Sequence, residues 1–234
     1  MKKEITYLDS ASTTKLDPRI LEVMLPYFSD YFGNASSNHQ FGRKSKDAIE
    51  NARKQTANII NCHEKEIIFT SGSTESINLA IKGYVESNVS RGNHIITVKT
   101  EHKAVLSTCE YLETKGYEVT YLDVDENGLI LFDQLRNSVK ENTLLIVIMY
   151  VNNETGVIQP IKEIAQLVHE AGALLMTDAT QAFGKIPINV DDMGIDLMAF
   201  SGHKIYGPKG IGGLFVRQRR PSRVKITPLI HGGG

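Results

Sequence analysis

Ile195-Asp196-Leu197-Met198-Ala199-Phe200-Ser201-Gly202-His203-Lys204 is followed by Ile205-Tyr206-Gly207-Pro208-Lys209-Gly210-Ile211-Gly212-Gly213. An apolar run of strand length that ends on a hydroxyl, an imidazole and one lysine delivers an amine to the edge of a buried sheet. Desolvation disfavours the ammonium, so a lysine held in a pocket there can lose its proton and attack a carbonyl. A strand-end lysine is also, on its own, an ordinary surface residue. The other strand ends have to decide between the two.

Working outward, apolar runs recur at residues 66–70, 94–98, 117–123, 143–150, 173–177, 195–201 and 213–217, and helical stripes lie between them. Ile77, Ala80, Ile81, Tyr84 and Val85 make one stripe; Ile161, Ile164, Ala165 and Val168 make another. Val105, Cys109 and Leu112 predict a helix after His102, and Asp133 is expected to cap a short one carrying Leu135 and Val139. Leu144-Leu145-Ile146-Val147-Ile148 is apolar on both faces, which calls for helices on both sides of a mostly parallel sheet. The fold class is therefore α/β. Upstream, Asp17-Pro18 reads as a helix start with Ile20, Met24 and Leu25 on its apolar face. A long surface helix is expected from Gly42 to Ile60, carrying Ala48, Ala52, Ile59 and Ile60. Residues 9–14, Asp-Ser-Ala-Ser-Thr-Thr, read as a loop.

Composition narrows the function classes. The 234 residues carry a net charge of -1 and 41% hydrophobic content, ordinary for a globular protein and unsuited to non-specific polyanion binding. Arg217-Gln218-Arg219-Arg220 is a short basic cluster, expected to be a solvated loop; no nucleic-acid partner follows from it. Two cysteines, Cys62 and Cys109, make neither a disulfide framework nor a metal spacing, and a reducing, cytoplasmic setting fits. No metal site is expected. The start, Met1 to Asp9, lacks a signal-peptide core, and no window approaches a membrane span.

In sheets of this kind ligands bind beyond the carboxyl ends of the strands. Those ends read Ser71-Gly72-Ser73-Thr74, Glu101-His102, Asn152-Asn153, Asp178-Ala179-Thr180-Gln181 and Ser201-Gly202-His203-Lys204. Ser73 and Thr74 open a helix, where free N–H groups and the helix dipole suit a phosphate, although simple N-capping would use the same residues. There is no Walker A pattern and no dinucleotide fingerprint. Asp178 ends an apolar strand, so its carboxylate needs a partner: a protonated ring nitrogen, or equally a nearby lysine. His102 suits stacking on a flat ring, or a cap. Asn153 and Gln181 are neutral donors for a phenolic oxygen or a substrate carboxylate. A lysine for an aldehyde, an acid for a pyridinium, a stacking partner and a phosphate seat together describe pyridoxal 5'-phosphate.

The same residues resemble a known family, the NifS/IscS-like cysteine desulfurases of the class V, fold-type I pyridoxal-phosphate enzymes. The resemblance runs through residues 8–17, Phe32-Gly33-Asn34, residues 69–75, Thr100-Glu101-His102-Lys103-Ala104-Val105-Leu106, residues 151–156, Asp178-Ala179-Thr180-Gln181 and residues 201–213. It implies Lys204 as the Schiff-base lysine and His102 as the stacking residue, both catalytic. It further implies Asp178 at the ring nitrogen, Gln181 at the phenolic oxygen, Asn153 near cofactor and substrate, and Ser73, Thr74, Ser201 and His203 around the phosphate. A seven-stranded sheet with one antiparallel strand is implied as well. So is an organisation of an N-terminal arm (1–15) and a cofactor-binding large domain (16–234), with the C-terminal small domain missing. The implied reaction takes sulfur from L-cysteine, leaving L-alanine and an enzyme persulfide destined for an iron–sulfur scaffold or another acceptor; the implied assembly is a homodimer. Neither Cys62 nor Cys109 matches the family's nucleophile, so this stretch of chain is expected not to turn over cysteine unaided. A selenocysteine lyase, a class V aminotransferase or a catalytically silent binding module shares much of this pattern. The terminal His231-Gly232-Gly233-Gly234 lacks the nucleophile elbow that a hydrolase oxyanion hole would need.

Overall fold

The computed structural model describes residues 5–220 and 223–232. Met1 to Glu4 of the arm, and Gly233 and Gly234 of the glycine run, lie outside the described residues. The seven expected strands form one sheet: β1 (Ile67–Thr70), β2 (His94–Val98), β3 (Glu118–Leu122), β4 (Thr143–Val147), β5 (Leu174–Asp178), β6 (Leu197–Ser201) and β7 (Gly212–Val216). Their order is β1-β7-β6-β5-β4-β2-β3, and β7 runs against both of its neighbours while the other pairings are parallel.

Alternate residues of the central strands feed two cores. Ile146, Leu175, Met198 and Phe215 face one side; Leu145, Met176, Leu197 and Leu214 face the other. This is why those strands read as unbroken apolar runs. The second face is covered by α4 (Ser73–Ser87) and α5 (Lys103–Glu113), the first by α6 (Phe132–Ser138) and α7 (Ile161–Glu170). Both expected stripes are buried in full. After β2 the chain steps outward to β3, then returns to β4, β5 and β6 on the other side. That reversal between β2 and β4 is the topological switch point at which such sheets bind ligands.

Before the sheet come α1 (Pro18–Met24), α2 (Pro26–Ser29) and α3 (Gln40–Ile59). Asp17 caps α1 as expected, its carboxylate accepting from the Arg19 N–H at 2.8 Å. Leu25, however, is 54% exposed, because α1 and α2 bury none of their residues. Along α3, Ile59 also turns outward, and Ala57 with the following Ile60 makes the contact with the core instead.

Two further expectations are corrected. Asp133 does not cap α6: the N-cap is Leu131, and Asp133 sits in the first turn bonded to Arg136. The Arg217-Gln218-Arg219-Arg220 cluster is not a solvated loop throughout. Arg217 is 3% exposed and donates to the carbonyls of Val190 and Ile195 and to the Asp191 carboxylate, while Arg219 bonds the buried Glu66. Charge at β7's end is thus consumed internally, where acidic groups from distant segments await it.

Candidate active site

The carboxyl ends of the parallel strands surround a cavity of about 560 Å³, within the range of small-molecule and cofactor sites. Ser73, Thr74, His102, Asn153, Asp178, Gln181, His203 and Lys204 all line it. Ser201 does not. It lies in an adjoining hollow of about 450 Å³, which shares Ser73, Thr74 and His203 with the first and also includes Lys209. Every site residue expected from the sequence is therefore within one connected crevice.

The turn after β1 is shaped by close approach. A Cβ on Gly212 would come within 2.6 Å of the Gly72 backbone, so β7 can pass the turn only as glycine. α4 then starts at Ser73, with Gly72 as N-cap and no side-chain cap bond. The capping alternative for Ser73 and Thr74 is thereby overturned. Glu75 instead folds back onto the Ser71 N–H (2.7 Å) and hydroxyl (2.6 Å). Ser73 and Thr74, the first residues of a 15-residue helix, line the crevice, and two hydroxyls with the uncapped N–H groups of a helix start are a donor set that suits a phosphate.

Asp178 ends β5 and is 5% exposed. Its Oδ1 accepts from the Thr180 N–H (2.9 Å) and hydroxyl (2.5 Å), a turn that fixes the carboxylate's direction. Its Oδ2 accepts no hydrogen bond among the described residues, yet the residue lines the cavity. Burial raises this carboxyl above the usual range, while Thr180, His102 and Lys204 pull it back. A buried carboxylate with one oxygen spare is the group a protonated ring nitrogen requires. The lysine alternative does not hold: Lys204 reaches Asp178 through its field, and its hydrogen bonds go elsewhere.

Lys204 sits in a 3-10 turn (Gly202–Lys204) directly after β6. It is half-buried, and burial lowers its ammonium below the ordinary value, partly offset by Asp178 and Asp9. Its Nζ donates to the carbonyls of Ala11 (2.6 Å) and Ser12 (2.7 Å). Burial and the nearby Lys204 lower His203 likewise. His102 is both a cap and a cavity residue: its Nδ1 accepts from the Ala104 N–H at 3.1 Å, which leaves Nε2 as the protonated nitrogen of the neutral ring. Gln181 donates from Nε2 to Ala11 and accepts at Oε1 from Lys185 (2.8 Å), so its amide orientation is fixed with the donor side toward the cavity. Asn153 spends one donor on Glu154.

Sequence reasoning missed Thr180, whose place two residues after an aspartate is an Asx-turn signal, and Lys185 behind Gln181. It also missed residues 9–14, read as a plain loop. These cross the chain to reach Lys204 and His203, and no local pattern announces a contact spanning some 190 residues.

The two cysteines stand apart from the cavity lining. Burial pushes the thiols of both Cys62 and Cys109 up to about 12. No group of three or more metal-ligating side chains occurs among the described residues, and no described helix is long and apolar enough to cross a membrane.

The model of the aminotransferase class-V family matches residues 6–234. Cysteine desulfurase IscS of Ehrlichia chaffeensis is 55% identical over 228 residues, which is 97% of this chain and 55% of that protein. The probable mitochondrial cysteine desulfurase of Dictyostelium discoideum is 54% identical over 234 residues, 100% of this chain and 52% of its own. Among solved structures, SspA in complex with cysteine superposes with a TM-score of 0.93 at 46% identity, covering 98% of this chain and 66% of that one. A NifS-like protein gives 0.93 at 40% identity, covering 98% and 62%. The chain spans about half the length of the curated relatives it matches. With its single antiparallel strand, its crevice at the switch point and its lysine after β6, the chain belongs to the class-V aminotransferase family.

Proposed function

We propose that this chain is the cofactor-binding part of a pyridoxal-phosphate-dependent cysteine desulfurase, which takes sulfur from L-cysteine and leaves L-alanine. The observation that carries the reading is the meeting of the Lys204 amine and the spare oxygen of buried Asp178 in one cavity, with the α4 N-terminus beside them. Relatives named cysteine desulfurase, and a structural neighbour solved with cysteine, supply the substrate.

Pyridoxal 5'-phosphate bound here would supply an aldehyde carbon and a protonated ring that withdraws electrons. The chain's residues do the rest. Lys204, with a depressed ammonium, exposes a lone pair at neutral pH more readily than a surface lysine does, and can carry a proton at Nζ. Asp178, oriented by Thr180, holds charge against the ring nitrogen. His102 would stack on the ring, and its Nε2 is not taken up by the cap bond. The Gln181 amide donates toward the phenolic oxygen, and Asn153 lines the substrate side. Ser73, Thr74, Ser201 and His203 hold the phosphate.

Cys62 and Cys109 stand apart from the cavity lining, and burial pushes both thiols up to about 12, so neither is placed or activated to accept sulfur there. This stretch therefore binds cofactor without forming a persulfide. In the whole protein, residues 1–15 form an arm beside the large domain, two copies pair as a homodimer, and the sulfur passes to an iron–sulfur scaffold or similar acceptor in the cytoplasm. The test is incubation of the purified chain with pyridoxal phosphate and cysteine. A Schiff-base absorbance band that cysteine alters, without release of sulfide or alanine, is the expected result. Release of alanine at the rate of a longer relative overturns the assignment of the thiols, and absence of any band overturns the cofactor.

A further inference from the structure

The turn that presents Lys204 is closed only in part by its own backbone, the Gly207 N–H donating to the Gly202 carbonyl at 2.9 Å. A 3-10 turn propagates through i→i+3 bonds, and the first is present, from the Ile205 N–H to the Gly202 carbonyl at 3.1 Å. The next in the series would run from the Tyr206 N–H to the His203 carbonyl. A side chain from the far end of the sequence takes its place. The Thr14 hydroxyl donates to the His203 carbonyl at 2.9 Å and accepts from the Tyr206 N–H at 2.7 Å, and the Thr14 N–H donates to the same carbonyl at 2.9 Å.

Tyr206 then takes φ +63°, the left-handed region disfavoured for a residue with a Cβ. The Asp17 N–H donates to its carbonyl at 3.0 Å, so the N-terminal segment grips Tyr206 on both sides. The same segment supplies, two and three residues before Thr14, the Ser12 and Ala11 carbonyls that receive the Lys204 amine. Backbone and side chain of the turn are thus held from one short stretch.

We propose that Thr14 is a positioning residue for Lys204: its hydroxyl bridges the His203 carbonyl and the Tyr206 N–H, supplies the link that the backbone leaves out beside Lys204, and fixes where the amine enters the cavity. The role demands a group that donates and accepts at once. Serine retains both functions. Valine keeps the shape of threonine and has neither.

The proposal rests on the reading of Lys204 as the cofactor-binding amine, and two readouts separate them. In the 234-residue chain, Thr14→Val is expected to slow the borohydride-trapped adduct of pyridoxal phosphate at Lys204 about tenfold, the factor that one or two lost hydrogen bonds give. It should also speed amide hydrogen exchange at Tyr206 by a similar factor. Thr14→Ser is expected to restore both. Thr14→Ala serves as the hydroxyl-free variant if Thr14→Val does not fold. Wild-type rates in the hydroxyl-free variant overturn the proposal. So does a Thr14→Ser chain as defective as Thr14→Val, since packing of the methyl group would then be the cause. If the wild-type chain forms no adduct, the cofactor reading falls. The position of the amine is then judged by the Lys204 Nζ chemical shift: a change in Thr14→Val reversed in Thr14→Ser upholds the role, and an unchanged shift overturns it.

Discussion

Replacing Asp178 by asparagine should change stability in opposite directions with and without the cofactor. In the cofactor-free chain this carboxylate is 5% exposed, and only Oδ1 is satisfied, by Thr180. Burial raises its folded pKa. A raised value means a contribution to stability that is fully present below the unfolded pKa and lost as pH rises through the folded one. At pH 7 the ionised group therefore opposes folding. Asparagine keeps Oδ1 as acceptor for both Thr180 donors and removes the charge. The gain is about 1 kcal/mol, the low end of what an unsatisfied buried polar group costs. For a chain of this size that is roughly 2–4 °C in melting temperature. The difference should vanish below about pH 4, where the unfolded carboxyl is protonated too. With pyridoxal phosphate bound as proposed, the carboxylate would face a cationic ring nitrogen, and breaking a buried charge pair costs about 3–5 kcal/mol. Affinity should then fall about 10²–10⁴-fold. Thermal melts of both chains from pH 4 to 8, with and without cofactor, read both signs. An Asp178→Asn chain that melts lower when cofactor-free, or binds pyridoxal phosphate as tightly as wild type, refutes the reasoning.

Other expectations follow from named contacts. With thiols at about 12, Cys62 and Cys109 should alkylate with iodoacetamide at pH 8 at least about 10³-fold more slowly than in the unfolded chain; rapid native labelling contradicts this. Gly212→Ala puts a methyl 2.6 Å from the Gly72 backbone and displaces the turn before Ser73. It should weaken pyridoxal phosphate binding by about tenfold or more while sparing pyridoxal, as the loss of charge-assisted bonds to a phosphate requires. Equal losses for both ligands, measured by titration, would mean that the turn does not hold the phosphate.

Much of this architecture was legible because the chain is locally consistent. Strands buried on both faces produce unbroken apolar runs such as Leu144 to Ile148, and the stripes of α4 and α7 repeat at helical spacing. Once the strand ends were fixed, the parallel sheet had to gather Ser73, His102, Asn153, Asp178 and Lys204 at one edge. What stayed hidden depends on distant partners. Arg217 looks solvated until Asp191 and the Val190 and Ile195 carbonyls surround it. Asp133 has the chemistry of a cap, yet the chain enters α6 two residues earlier. Residues 9–14 carry no periodicity at all, and their hold on Lys204 exists only in three dimensions.

On the proposed function, the amine of Lys204 is the point of attachment for a pyridoxal aldehyde. Incubating the chain with pyridoxal 5'-phosphate, reducing with borohydride and mapping the phosphopyridoxyl group by peptide mass tests it most directly. A stoichiometric label on Lys204 that disappears in Lys204→Arg is the expected result. A label scattered over exposed lysines, or one unchanged by that substitution, would contradict it.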